Sequence, residues 1–344
     1  MPTFAIGCAV NSQDRTGFAA AVSACNASDV CVLALGTDES IANEGNDRSD
    51  TSLPGVQSAL ALAILDCGKP TILVLFNGAT LAIDSLLATA RDSSLAVVEA
   101  WNPGVAGGTP IAAALFGKTN TWGKLPVSWY PEAYFKLLPI QDMDMVLGGG
   151  GAGRTYKYYN ATSVATRTNT SGALLFPLGY GLSYTTFTLS GTCPNNPPSL
   201  VVNAADSSAS PSISCTVTVA NTGPLDGDEV VIVYVIPNAT SVARARAALW
   251  NGGPRSDPLA SRLVVAFERV HVAAGGRVDI PFNFSVPTFS SVDDSGARVV
   301  YPGQYVLRFS HGTSDSDASD VDVTVVVEID GAERHVVRAA YPTW

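Results

Sequence analysis

The stretch Thr71-Ile72-Leu73-Val74-Leu75-Phe76 has a β-branched residue followed by five apolar ones, directly after Lys69-Pro70. A run of this kind needs cover on both faces, the environment of a central strand in a parallel sheet. It also sits within an alternation. Gly17 to Cys25 is Ala-rich and helical, and Asp29 to Leu35 reads as another buried strand. Pro54 to Leu65 reads as a helix with Leu60, Ile64 and Leu65 inward. Ala82 to Ala90 is helical, Leu95 to Ala100 a strand, and Gly108 to Phe116 a small-residue helix. Strands alternating with helices predict an α/β fold, a mostly parallel sheet covered by helices.

The pattern then changes. Residues 120–190 are irregular, aromatic and Gly-rich, and a stretch of that length is expected to pack over the sheet or line a site. Residues 191–211 read as a linker and entry strand, and 212–344 as all β. Ile213 to Val219, Glu229 to Ile236, Leu263 to Val272, Arg277 to Val286, Gly303 to Phe309 and Val321 to Val327 are short strands separated mostly by Gly or Pro turns. That spacing predicts a β-sandwich. The expected division is therefore an α/β domain over 1–190, the linker, and a β domain over 212–344.

Of the 344 residues 47% are hydrophobic and 15% charged, with a net charge of -10. This is a folded chain with no basic patch for nucleic acid or an anionic membrane surface. The longest apolar region, Ala59 to Phe76, is broken by Asp66, Gly68, Lys69 and Pro70, too early for a membrane span. Met1 to Gly7 has no signal-peptide pattern. None of the six cysteines forms a C-x-x-C pair, so no zinc site is expected. Cys193 and Cys215 are placed to staple the second half, whereas Cys31 and Cys67 read as core thiols. Five Asn-x-Ser/Thr sequons, at Asn26, Asn160, Asn169, Asn238 and Asn283, are compatible with a glycoprotein.

The loop after the Asp29 strand is the best place for chemistry, because ligands of open α/β sheets bind beyond the carboxyl ends of the strands. It carries Asp38, Glu39, Glu44, Asp47 and Arg48. Glu44, followed by Gly45, is the candidate general acid/base, with a solvated loop carboxylate as the alternative. Glu39, Trp101 and Tyr156 are lesser candidates for substrate contact, and Asp47 with Arg48 reads as an ion pair shaping the loop. Gly148 to Gly153 satisfies G-x-G-x-x-G but follows no strand and opens no helix, so a nucleotide cofactor is not expected. Trp101, Trp122, Trp129, Tyr130, Tyr156, Tyr158 and Tyr159 suit domain packing or sugar stacking. His271, His311 and His335 read as ordinary surface or strand residues, and neither a metal nor another cofactor is called for.

Five segments together resemble glycoside hydrolase family 3, in its β-xylosidase/α-L-arabinofuranosidase branch. They are Asp38 to Arg48 with Leu53 to Gln57; Gly117 to Tyr130, containing Gly123-Lys124-Leu125-Pro126; Gly153 to Tyr159; Phe176 to Phe187; and Gly227 to Val231 with Phe267 to Val270. The resemblance implies an α/β-sandwich domain followed by a fibronectin type III-like domain. It implies a retaining mechanism with Glu44 as acid/base and an aspartate nucleophile on a preceding (β/α)8 barrel. Retention places the two carboxyl groups about 5–5.5 Å apart. About 28 residues precede the Asp29 strand, whereas a barrel takes roughly 250, so the barrel is expected outside this chain. Ala42, Asn102-Pro103-Gly104-Val105 and Val146 depart from the family pattern near the expected cleft.

These readings predict the C-terminal part of an exo-acting glycosidase for β-xylosides or related plant-type glycans, extracellular or cell-wall by resemblance and inactive on its own. A non-catalytic carbohydrate-binding or scaffold module derived from such an enzyme is the alternative. A nucleotide-binding α/β protein is the more distant rival.

Overall fold

The computed structural model describes all residues except 1, 91–93, 139–140, 142–143, 147–150, 195–197, 202–211, 249–258, 293–297, 313–322, 332–334 and 338–344. Much of the expected linker and half of the Gly148–Gly153 run (148–150) lie outside the described residues. The chain forms two compact units. One comprises 1–116, 129–139 and 165–175, the other 117–128, 140–164 and 176–344.

The first unit contains α1 (Phe18–Asn26), β1 (Cys31–Gly36), α2 (Gln57–Leu65), β2 (Thr71–Phe76), α3 (Asp84–Thr89), β3 (Leu95–Glu99), α4 (Gly108–Leu115) and the short α5 (Glu132–Phe135). The three strands form a parallel sheet in the order β1-β2-β3. The register is flush: Leu35 pairs with Leu75, and Leu75 with Glu99. Leu73, Val74 and Leu75 are buried, as a central strand requires, while Val32 and Ala34 of β1 are exposed. Gln57, Leu60, Ala61 and Ile64 form the buried stripe of α2 at the i, i+3, i+4, i+7 spacing of a helix face. Leu65 is half-buried.

Gln57 is the polar member of that stripe. Its Oε1 accepts the Gly36 N–H at 2.8 Å, and its Nε2 donates to the carbonyls of Gly36 and Val10, each at 2.8 Å. A buried amide satisfied in this way ties the end of β1 to α2. Gly36 has φ +153, and a Cβ there would lie 1.8 Å from the Phe76 carbonyl oxygen, so only glycine fits.

The second unit contains α6 (Thr155–Tyr158), part of α7 (Ala161–Thr168), β4 (Phe187–Thr192), β5 (Ser199–Val201), β6 (Ser212–Asn221), β7 (Gly227–Pro237), α8 (Ala239–Ala248), β8 (Leu263–Val272), β9 (Arg277–Ser285), β10 (Ser291–Val292), β11 (Arg298–Val300), β12 (Gly303–Ser310), β13 (Val323–Asp330) and β14 (His335–Val336). A five-stranded sheet runs β5-β13-β12-β7-β8 and a three-stranded sheet β4-β6-β9. Both contribute to one core, with Leu189, Val217, Val219 and Phe284 from one sheet and Val231, Val233, Leu307 and Val327 from the other. This is the expected β-sandwich. Strands β10, β11 and β14 form a separate small sheet.

Cysteine pairing departs in part from expectation. Cys193 and Cys215 are joined, but so are Cys25 and Cys31. Cys31 is therefore not a plain thiol: the short link from α1 into β1 brings its Cα within 5.4 Å of that of Cys25. Cys67 is free and half-buried.

Candidate functional site

The segment after β1 folds back into a tight turn. The N–H and C=O of Asn43 and Asn46 exchange two hydrogen bonds of 3.1 Å, leaving Glu44 and Gly45 at the corner. Side chains brace the approach. The Asn43 amide donates to the Glu39 carbonyl at 2.8 Å and accepts the Gly45 N–H at 2.7 Å. Asp38 accepts both the N–H and the hydroxyl of Ser40. Such local bonds from Asx and Ser side chains hold a loop without a hydrophobic core.

Glu44 is exposed, and its carboxylate has no hydrogen-bond or ion-pair partner among the described residues. Glu39 is also exposed. A Cβ at Gly45 would meet only the Asn43 side chain, at 3.5 Å, so nothing within the turn demands glycine there.

The Asp47–Arg48 ion pair does not form. Adjacent residues outside a helix turn their side chains apart, and Arg48 instead donates to the carbonyls of Ser52 (3.3 Å) and Thr80 (3.4 Å). Burial lowers the Arg48 pKa, with the charge of Asp50 opposing it. Arg48 thus ties the loop to the segment entering α3.

Beyond β2 and β3 lies a polar cluster that the sequence reading did not single out. Asn77 follows β2 and is fully buried; its amide Nδ2 donates to Glu99 Oε2 at 3.2 Å. Glu99 Oε1 accepts the Trp101 N–H at 2.9 Å. Burial pushes the Glu99 carboxyl up to about 7, against the opposing bonds from Trp101 and Asn77. The available signal was a carboxylate closing the otherwise apolar strand Leu95-Ala96-Val97-Val98-Glu99. Trp101, one of the substrate-contact candidates, is half-buried with φ +52. Because the strands are parallel, the Glu44 turn and the Asn77–Glu99–Trp101 cluster both lie past carboxyl ends of the same sheet.

Tyr156 belongs to the second unit and is held there structurally. Its hydroxyl accepts the Val264 N–H at 3.1 Å and its ring packs edge-on to Tyr234. Among the other aromatics, Tyr130 stacks on Tyr134 and Trp122 meets Tyr184 edge-on, each pair within one unit. His271 is an exposed partner of Asp228, as a surface histidine would be. His311 is different: it is largely buried, with Nδ1 3.8 Å from Glu229. No group of three or more His, Cys, Asp or Glu able to hold a metal ion occurs among the described residues. No helix among them is long and apolar enough to cross a membrane.

The sequence profile of the Glycosyl hydrolase family 3 C-terminal domain matches residues 2–184. The chain belongs to glycoside hydrolase family 3. Beta-D-xylosidase 1 of Arabidopsis thaliana is 32% identical over 325 residues, which cover 88% of this chain and 39% of the plant protein. The probable exo-1,4-beta-xylosidase bxlB of Aspergillus fumigatus is 31% identical, over 93% of this chain and 39% of its own length. Among solved structures, the family 3 exo-beta-xylosidase XlnD in complex with a xylobiose aziridine activity-based probe aligns with a TM-score of 0.76 at 25% identity, covering 97% of this chain and 40% of that one. A Listeria innocua beta-glucosidase aligns with a TM-score of 0.72 at 24% identity, a likeness of fold. This family 3 chain thus spans about two-fifths of the length of the relatives it matches.

Proposed function

We propose that this chain is the acid/base-bearing portion of a retaining, exo-acting glycosidase for β-xylosides or related plant-type glycans. In this reading Glu44 protonates the leaving oxygen and then activates water. An aspartate nucleophile comes from a barrel domain outside these 344 residues. The observation that carries the reading is the Glu44 carboxylate itself: exposed, unpartnered, and presented by a braced turn at the carboxyl edge of a parallel sheet. The names of the β-xylosidase relatives support the substrate class. Two disulfides support an oxidising, extracellular setting. The β-sandwich is read as the fibronectin type III-like module of such an enzyme.

The retaining mechanism needs a second carboxyl group about 5–5.5 Å from Glu44. The 344-residue chain is therefore expected to show no turnover of aryl β-xylosides above background. Robust hydrolysis by this chain alone would overturn the divided-site reading. With a family 3 barrel fused ahead of it, Glu44→Gln should lower kcat/KM on poor leaving groups roughly 10²–10⁴-fold. It should spare kcat/KM on activated aryl leaving groups, which need no protonation, while their kcat falls because water is no longer activated for the second step. Equal loss of kcat/KM on both substrate types removes Glu44 from the acid role.

A further inference from the structure

We propose that Glu99 is a positioning residue for Trp101: with Asn77 it clamps the Trp101 backbone in a left-handed conformation and so fixes where the indole stands at the carboxyl edge of the sheet. A bulky residue at φ +52 is a backbone outlier, and it persists only where its surroundings over-determine it. Here both backbone groups of Trp101 are held. The N–H donates to Glu99 Oε1 at 2.9 Å, and the C=O accepts the Asn77 N–H at 3.2 Å. The two holding groups are themselves joined, Asn77 Nδ2 to Glu99 Oε2 at 3.2 Å. The register explains the meeting. Leu75 and Glu99 are cross-strand partners, and two residues further on come Asn77 and Trp101. The ring of contacts closes around one carboxyl group.

The clamp is sensitive to a proton. Burial holds the Glu99 carboxyl at about 7, and no neighbouring charge contributes among the described residues; the groups acting on it are the Trp101 N–H and the Asn77 amide. Ionised Glu99 gives both N–H donors a charge-assisted acceptor, which protonation weakens. A neutral carboxyl also becomes a donor. The Asn77 Oδ1, fully buried and without a hydrogen-bond partner, is the acceptor it can reach if the amide turns over. Trp101 and the exposed residues 102–106 that follow are thereby coupled to the charge on Glu99, whether or not a glycoside is the ligand.

The test is fluorine NMR of the whole chain labelled with 5-fluorotryptophan, from pH 5 to 9. The Trp101 line is assigned by Trp101→Phe among the five tryptophans. That line should shift with a midpoint near pH 7, and the shift should vanish in Glu99→Gln, which keeps the shape and loses the charge. In Asn77→Ser, with a donor to the carboxylate weakened, the midpoint should rise. The Trp122 and Trp129 lines report whether each variant is folded. A Trp101 line that does not move with pH in the parent, or that moves equally in Glu99→Gln, overturns the proposal. Should Glu99→Gln not fold, the parent titration and its displacement in Asn77→Ser decide it.

Discussion

Lys124 and Glu229 form a buried ion pair, and breaking it one side at a time should cost far more than removing both partners. Lys124 Nζ lies 3.1 Å from Glu229 Oε1, with side chains 10% and 2% exposed, and also donates to the Gly181 carbonyl at 2.8 Å. Glu229 Oε1 further accepts the Val230 N–H at 2.7 Å. At an effective dielectric constant of about 20 the attraction at this separation is about 5 kcal/mol, opposed by a desolvation cost of several kcal/mol per ion. Lys124→Met keeps most of the stem, which runs beside Gly181 and Gly312, and leaves the buried carboxylate only the Val230 N–H and, 3.8 Å away, His311. The expected loss is about 3–5 kcal/mol. Lys124→Met with Glu229→Met leaves an apolar pair and should cost less than about 1 kcal/mol. The assay is urea unfolding read by hydrogen exchange at the amides of β7 and β12, which reports the β-sandwich separately from the parallel-sheet unit. With a slope of about 2 kcal/mol/M, the single variant should unfold about 1.5–2.5 M earlier. A single-variant shift below about 0.3 M, or a double variant no more stable than Lys124→Met, would refute the argument that burial sets the cost.

Three further outcomes follow from particular residues. Replacing Cys193 and Cys215 by alanine opens a loop spanning 22 positions and should cost about 3 kcal/mol, seen as a fall of roughly 6–12 °C in the melting of the sandwich. Glu99, raised to about 7, makes folding most favourable below its unfolded pKa of about 4.3, and that contribution is lost as pH rises through 7. Discounted for a half-buried group, the difference is about 2 kcal/mol, and Glu99→Gln should flatten this part of the stability profile of the parallel-sheet unit between pH 4 and 8. Gly312→Ala should destabilise the sandwich by more than about 2 kcal/mol, because φ is +87 and the new Cβ would fall 1.5 Å from the Gly179 carbonyl oxygen; wild-type melting would show that the backbone gives way.

Much of the regular structure was legible because burial imposes a strong pattern. Thr71–Phe76 is a strand from end to end as read, and α1, α2, α4, β1 and β3 match within a few residues. Strand β5 falls within the expected entry strand, whereas β4 escaped notice because its alternating part, Phe187 to Ser190, is only four residues long and directly follows the irregular aromatic stretch. Helix α8 lies in a polar, Arg-containing stretch between two strands, where no apolar stripe announces it. The Cys25–Cys31 bond was hidden by an apolar setting that suits a core thiol equally well. Glu99 read as the polar end of a strand; only the cross-strand register brings Asn77 beside it. Glu44 was legible as a loop carboxylate after a strand, but its freedom from any partner is a property of the folded turn.

The segments that carry the family resemblance differ in what they do, and the difference bears on how far such motifs speak to chemistry. Four of the segments meet largely within the second unit. Arg269 bonds the Asp228 carboxylate at 2.7 Å and the Thr121 carbonyl at 2.9 Å, and Lys124 reaches Glu229. Leu125 exchanges backbone bonds with Gly179 and Tyr180, and Tyr156 caps Val264. Burial works against ionisation of Asp228, yet the bonds and charges of His271 and Arg269 hold its carboxyl below the ordinary range. These residues are bound by one another's geometry, so a chain can retain them for folding alone. The segment from Asp38 to Arg48 instead presents Glu44, an exposed carboxylate with no partner among the described residues. A substitution at Glu44 should therefore leave stability unchanged to within about 0.5 kcal/mol while abolishing acid catalysis in a barrel-bearing protein. Substitutions at Lys124 or Asp228 should lower both together. Urea unfolding and hydrolysis of aryl β-xylosides on the same variants separate the two classes, and a Glu44→Gln protein that loses stability would place this loop with the scaffold instead.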